Sequence, residues 1–323
     1  MIATSATGVE PSAMRALVHK HLPENVLLSD IRARGDDHFV CTGRVPTDHS
    51  LFNDIGRIPT QDVMFYTEVG RQASLAMTHA FFNASLDDVF IFEDSKAAVS
   101  ESVWQLPQSR PFDSFVIEIA VREAIRRKHD AVCHIVADHR MTVGNEQVFR
   151  GTGTWTIQSA AVFGRLRKAS IQSAAESVDW QPRTSIADCT PPMPNHSQNV
   201  VISGLEWTQH HSQAATALVV DRSHPYFFDH NCDHVPGMLL LEGCAQVALE
   251  MFAQSDPVSS QAAILAYDMS FTKFVECDEP TTLTARCIHG QRSALGVSQR
   301  SVQITVSQRG SISGMASMTV RAI

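Results

Sequence analysis

The chain carries an internal repeat. Asn25-Val-Leu-Leu-Ser-Asp30 is echoed by Asn199-Val-Val-Ile-Ser-Gly204, and His49-Ser-Leu-Phe-Asn-Asp54 by His224-Pro-Tyr-Phe-Phe-Asp229. Thr67-Glu-Val-Gly-Arg-Gln72 returns as Leu241-Glu-Gly-Cys-Ala-Gln246 at nearly the same spacing. At a shorter spacing, Gly151-Thr-Gly-Thr-Trp-Thr-Ile157 returns as Gly314-Met-Ala-Ser-Met-Thr-Val320. Four echoes in one order describe a duplicated unit, and a chain built this way must fold as two copies of one small domain. The boundaries are 1–159 for the first repeat and 199–323 for the second. Between them, 160–198 is rich in Ser, Ala, Gln and Pro, including Pro191-Pro192-Met193-Pro194, and reads as a linker. Within it, Val162–Lys168 keeps enough apolar character to dock on a domain.

Each repeat presents its elements in the same sequence. Short apolar or alternating runs (Val26–Ser29 and Phe39–Val45; Val200–Ser203 and Ala215–Val220) read as strands. A His-x-x-Phe-x-Asp loop follows, then one strongly helical stretch, about 62–82 in the first repeat and 236–252 in the second. Pro236-Gly237 fits a helix start, where the missing proline N–H costs nothing. Further strands are read at Phe115–Ala120, Ala131–Ala137 and Thr152–Ile157, and at Ala263–Tyr267, Leu283–Ile288, Val302–Val306 and Ala316–Val320. Arg122–His129 is open to a helical reading. One long helix among antiparallel strands is an α+β unit, with the helix wrapped by its sheet.

Composition removes several classes of function. Acidic residues outnumber basic ones, 34 to 26, giving a net charge of −8, which opposes nucleic acid as the main partner. The 7 cysteines are odd in number and form no Cys-x-x-Cys pair, so reduced thiols in a cytoplasmic protein are expected. No apolar run reaches the roughly 18 residues of a membrane helix, and no leader pattern opens the chain. The 15 histidines suggest a metal, but His210-His211 point to opposite faces of a strand. His230, Cys232, Asp233 and His234 do not have zinc spacing, so no metal and no cofactor are expected. Neither a Gly-x-Ser-x-Gly elbow nor a nucleotide-binding glycine loop is present.

Several strings together carry a resemblance. They are Leu17-Val-His19-Lys20, Glu24-Asn-Val-Leu-Leu-Ser-Asp30, Asp48-His49, Glu68-x-x-Arg71-Gln72 and Asp229-His230-x-x-Asp233-His234-Val-Pro-Gly-Met238. The second-repeat loop and helix resemble the active segment of hotdog-fold acyl-thioester enzymes such as the 3-hydroxyacyl-carrier-protein dehydratases. The chain from about residue 15 onward is similar to the A-factor biosynthesis (AfsA-type) γ-butyrolactone synthases. That resemblance implies two tandem hotdog units forming a pseudo-dimer, present as a monomeric double hotdog or as a homodimer. It also implies transfer of a β-ketoacyl group from an acyl-carrier-protein thioester to the hydroxyl of dihydroxyacetone phosphate.

The residues can be read against that chemistry. Acyl transfer to an alcohol needs a general base and an oxyanion donor, and a phosphorylated acceptor needs a cation. Glu68, Arg71 and Gln72 share one helical face and can supply base, phosphate clamp and orienting amide. Gly237 offers an unhindered backbone N–H at a positive helix end. The second repeat keeps His230, Glu242 and Gln246 but has Ala245 where the family carries a second arginine. The expected main site therefore pairs the Glu68/Arg71/Gln72 helix with the His230–Gly237 loop, with Asp233, His234 and Gln246 binding substrate. The opposite site, Glu242 facing the Asp54 loop, is expected to lack its arginine and to be weaker. Ala245 also leaves open a dehydratase or thioesterase, or a non-catalytic acyl-binding double hotdog. Arg122, Arg126, Arg127 and Lys128 are the candidate dock for the carrier protein. His49 and His224 are expected to brace their loops.

Overall fold

The computed structural model describes residues 10–54, 57–105, 113–127, 131–175, 198–207, 212–230, 232–255, 261–292 and 297–323. Most of the linker expected at 160–198, with its proline cluster, lies outside these residues, as do Lys128 and His210-His211. The first repeat forms α1 (Pro11–Leu17), β1 (Leu28–Ala33), β2 (His38–Arg44), α2 (Val63–Phe81), β3 (Val89–Val99), β4 (Ser114–Arg126), β5 (Val132–Val143) and β6 (Glu146–Gln158). A helix α3 (Ala160–Ala175) follows. The second repeat forms β7 (Glu206–Trp207), β8 (Gln213–Ala217), α4 (Gly237–Ser255), β9 (Ala262–Phe271), β10 (Thr281–Arg292), β11 (Ser298–Gln308) and β12 (Ser311–Ala322). No helix among the described residues is long and apolar enough to cross a membrane.

All twelve strands join one antiparallel sheet in the order β1-β2-β4-β5-β6-β3-β9-β12-β11-β10-β8-β7. The order is the same read from either end once each strand is replaced by its repeat counterpart. The pseudo-twofold axis therefore passes between β3 and β9, where Lys96 pairs with Asp268 and Ala98 with Ala266. Each half wraps one long helix, which is the hotdog arrangement. Nearly every position of α2 is buried, on all faces rather than along one stripe, as a helix enclosed by a curved sheet requires. Asp62 caps it by accepting from the Met64 N–H at 2.8 Å. On α4 a Cβ on Gly243 would lie 2.6 Å from Leu218 Cδ1, so any larger residue there would push that leucine tip aside.

The halves are also fastened by a network that the repeat builds twice. The Gln72 amide donates to the Asn25 carbonyl (2.7 Å) and accepts from the Leu27 N–H (2.9 Å). Gln246 does the same with Asn199 (2.7 Å) and Val201 (2.9 Å). Asn25 then donates across the pseudo-dimer to the Pro225 carbonyl (3.0 Å), and Asn199 donates back to the Ser50 carbonyl (2.7 Å). His49 Nδ1 accepts from the Leu51 and Phe52 N–H groups, so Nε2 carries the proton and donates to Asn25 (3.1 Å). His224 repeats this with Tyr226, Phe227 and Asn199 (3.0 Å).

Four details depart from the sequence reading. Val200–Ser203 contributes the single bridge Ile202–Leu218 rather than a strand, because the Ala217 N–H that would continue the ladder is taken by Ser203 Oγ at 3.0 Å. The stretch from Arg122 to Arg126 extends β4 in pairing with β5 and is not helical. Strand β3 escapes the pattern because Glu93-Asp94-Ser95-Lys96 interrupts its apolar alternation. Those polar residues meet the partner half, where the Lys96 ammonium lies 2.8 Å from Asp268. Residues 160–175, within the stretch read as linker, form α3.

Two buried histidines make stability pH-dependent, His49 in the network that joins the halves and His139 of β5, which lies 2.8 Å from the Ser74 hydroxyl of α2. Burial, with a contribution from Lys20, lowers His49 from 6.5 to about 4, and burial lowers His139 from 6.5 to about 4. Both imidazoles are neutral when folded, while in the unfolded chain they take up protons below 6.5. Their contribution is present above pH 6.5 and is lost as pH falls toward about 4, by roughly 3 kcal/mol each. Thermal melts across that range should show the loss, and His139→Gln should flatten the curve. A melting temperature unchanged through the window contradicts the assignment.

Candidate active site

Helix α2 brings Glu68, Arg71 and Gln72 onto one face, and packing then removes Glu68 from water entirely. Arg71 grips its carboxylate with two bonds, Nε to Oε2 at 2.7 Å and Nη2 to Oε1 at 2.8 Å. Gln72 donates to Oε1 at 2.8 Å. A further cation arrives from the turn after α1: Lys20 Nζ lies 3.5 Å from Glu68 Oε1 and 4.3 Å from the centre of the Tyr226 ring. Burial works to raise the Glu68 pKa, but Arg71, Lys20 and the hydrogen bonds outweigh it and hold the carboxyl well below the usual range. The same carboxylate, after burial, raises the Tyr226 phenol.

This cluster opens on a cavity of about 640 Å³ walled by both halves. Lys20, Glu68 and Arg71 come from the first repeat, and Tyr226, His230, Cys232, Asp233 and His234 from the second. His230 is lowered to about 4 by burial and then by Arg71 and Lys20. Its ring is neutral, and the buried Nδ1 has no hydrogen-bond partner among the described residues. Asp233 and His234 line the same cavity but are engaged elsewhere. Asp233 accepts from His234 Nδ1 (2.6 Å) and from Arg167 Nε of α3 (2.9 Å). Arg167 also forks onto Glu276 at 2.9 and 2.7 Å, so α3 fixes the wall of the cavity.

Gly237 lies in an adjoining cavity of about 80 Å³ that shares Arg71, Phe92 and Met238 with the larger one. Leu241, Phe149, Tyr267 and Phe271 make its lining mostly apolar. Gly237 opens α4, where the first N–H groups lack intrahelical acceptors. A Cβ there would lie 3.4 Å from the Phe271 ring.

The repeat counterpart is built differently. Glu242 is also fully buried, and Gln246 donates to its Oε1 at 2.8 Å. Ala245 leaves no arginine on the helix, but Arg57, from the loop before α2 in the other half, bonds to Glu242 Oε1. Arg57 also donates to Asp62 at 3.2 Å. The carboxylate therefore does not lack an arginine; it receives one from the other repeat. Neither Glu242 nor Gln246 lines the cavities around Arg71 and Gly237.

The basic cluster read as a docking face lies away from this cavity. Arg122 pairs with Asp138 at 2.5 Å, Arg126 lies over the Phe82 ring, and Arg127 donates to Gln158 at 2.6 Å. Sequence reasoning gave no role to Lys20, Arg57 or Arg167. The Arg57 and Arg167 partners lie far along the chain, where spacing carries no signal; Lys20 does adjoin the Leu17–Lys20 string.

The chain matches the profile of the A-factor biosynthesis hotdog domain over residues 2–158 and 195–323. It is 26% identical over 284 residues to a 2-oxo-3-(phosphooxy)propyl 3-oxoalkanoate synthase of Streptomyces virginiae, covering 84% of this chain and 86% of that one. It is 25% identical over 319 residues to the synthase of the same name from Streptomyces coelicolor, covering 96% and 93%. Among solved structures, a tesB protein of Mycobacterium avium subs paratuberculosis aligns over 91% of this chain and 96% of its own, at 11% identity and a TM-score of 0.48. Two wrapped helices, a sheet continuous across a pseudo-twofold axis and the profile match over both halves place the chain in the A-factor biosynthesis hotdog family.

Proposed function

We propose that this protein is an acyltransferase that moves a β-ketoacyl group from an acyl-carrier-protein thioester to the hydroxyl of dihydroxyacetone phosphate. The observation that carries the reading is the Lys20–Glu68–Arg71 cluster. Two basic side chains, Arg71 and Lys20, share one buried carboxylate at the wall of the cavity, although burial lowers the Lys20 pKa. A phosphate is the anion that an arginine fork and a lysine suit best. The relatives' name describes a β-keto acid esterified to a phosphorylated hydroxyketone, which is the product this transfer would form.

The remaining parts fall into place around that clamp. The apolar cavity beside Arg71 suits the acyl chain, and its Gly237 N–H, at the start of α4, suits the thioester oxyanion. Both oxygens of Glu68 are taken up by Arg71, with Gln72 donating to one of them as well, so the carboxylate is committed to its neighbours and not placed to act as base. Its part is to hold Arg71 flat and aimed, with Gln72 fixing Glu68 in turn. His230, neutral and with Nδ1 unpaired, hydrogen-bonds the reacting groups. Glu242 and Gln246 form a structural counterpart closed by Arg57. Arg222, on the rim of the main cavity, is better placed than the Arg122–Arg127 cluster to meet an acidic carrier protein. A dehydratase or thioesterase has no need of an anion clamp at this position.

Mass spectrometry of the protein given a β-ketoacyl thioester, with and without dihydroxyacetone phosphate, tests the reaction. The phosphorylated ester should form only with both present; free acid in both tubes would indicate a thioesterase instead. Arg71→Met should lower kcat/KM for the acceptor by about 100-fold or more, since it removes the fork. Arg57→Met should cost roughly 3–5 kcal/mol of stability, because it strands a buried charge, and Glu242→Gln added to it should recover much of that. Turnover of the folded Arg57→Met protein should stay near that of the parent; its abolition would move the chemistry to Glu242.

A further inference from the structure

His19 has a backbone conformation that non-glycine residues seldom adopt, with φ at 54°, and its ring lines the main cavity. Its Nε2 lies 2.8 Å from Nε2 of His79, near the end of α2. His79 in turn places Nδ1 3.2 Å from the carbonyl oxygen of Ala84. Phe90 of β3 packs on both rings, with centroids 5.5 and 4.9 Å away.

These contacts fix the proton positions. A carbonyl can accept only, so His79 Nδ1 carries hydrogen and, in a neutral ring, Nε2 is bare. His19 must therefore donate from Nε2, which leaves its Nδ1 with a free lone pair. That nitrogen makes no hydrogen bond among the described residues. Both rings are kept neutral: burial, then His79, Arg71 and His230, lower His19 to about 3, and burial lowers His79. The positive φ closes α1, where the Lys20 N–H returns to the Arg15 carbonyl at 3.1 Å; a histidine so held, backed by His79 and lining a cavity with an unbonded nitrogen, is the arrangement expected of a positioned base.

We infer that His19 is the general base of the acyl transfer and that His79 is the residue that holds it in the competent tautomer. The inference rests on the transferase reading above. The acceptor hydroxyl proton passes to His19 Nδ1 as the hydroxyl oxygen bonds to the thioester carbonyl carbon. When the carbon–sulfur bond breaks, the same proton goes to the departing sulfur. Ester and thiol leave, and His19 is neutral again, with no other reactant consumed.

The arrangement links basicity to acceptor binding. Burial and His79 lower His19 most and Arg71 lowers it further, and the Arg71 charge is the one an acceptor phosphate would neutralise on docking. His19 then gains proton affinity when the acceptor is present, which favours transfer over hydrolysis by water.

Two measurements on the full-length protein test this. With histidine labelled by nitrogen-15, and the His19 signals assigned from His19→Gln, the spectrum should show the Nε2–H tautomer at His19. That form should be lost or mixed with the other tautomer in His79→Phe. In kinetics, His19→Gln should lower kcat by about 100-fold or more, while inorganic phosphate binding, measured by calorimetry, stays unchanged. His79→Phe should lower kcat by about 10-fold with little change in acceptor KM, and His79→Gln, which can accept from His19 and donate to Ala84, should restore most of it. An Nδ1–H tautomer at His19, or His19→Gln transferring at the parent rate, overturns the inference. If the unsubstituted protein forms no ester, the transferase reading fails and the base role with it, and the spectrum still decides the dyad separately.

Discussion

A carboxylate sealed inside a protein is costly unless it is paired, by several kcal/mol after relaxation. Among the described residues Glu68 and Glu242 are wholly buried, each in the second turn of a helix that its sheet encloses. Much of the molecule can be read as the solution to that constraint. Gln72 and Gln246 each donate to the carboxylate one turn back and, with the same amide, tie down the segment ahead of the first strands. The segments so held supply Asn25 and Asn199, which cross to the other half. Charge compensation, strand entry and joining of the halves are thus one connected network.

The two carboxylates obtain their cations by different routes, and this separates a site from its echo. Glu68 takes Arg71 from its own helix and Lys20 from the preceding turn, and all three residues line a cavity. Glu242 takes Arg57 from across the pseudo-dimer, and that arginine is shared with Asp62. Here two carboxylates face one guanidinium, a balance that does not call for an external anion.

The repeat made much of this legible in advance. The wrapped helices, their matched Glu and Gln and most strands follow from apolar spacing and from echoed strings, because local pattern determines local structure. Strand β3 did not show, since Asp94, Ser95 and Lys96 serve the seam with β9 and not a half-exposed face. The bridge at Ile202 read as a strand because pattern cannot say that Ser203 Oγ will take the Ala217 N–H. At the site, Glu68, Arg71 and Gln72 could be grouped from spacing, while Arg57 with Glu242 and Arg167 with Asp233 could not. Those pairs are made by tertiary folding between distant segments. Asp233 shows the reverse limit: its motif pointed to substrate, and the structure commits its carboxylate to Arg167 and His234.

The exchange of Arg71 for Ala245 at matched positions has a further meaning. A dimer of identical chains carries every substitution twice, so neither of its two equivalent pockets can change without the other. Joining both copies on a single polypeptide lifts that restriction. One pocket is then free to carry an arginine on its own helix while the other takes one from across the pseudo-dimer.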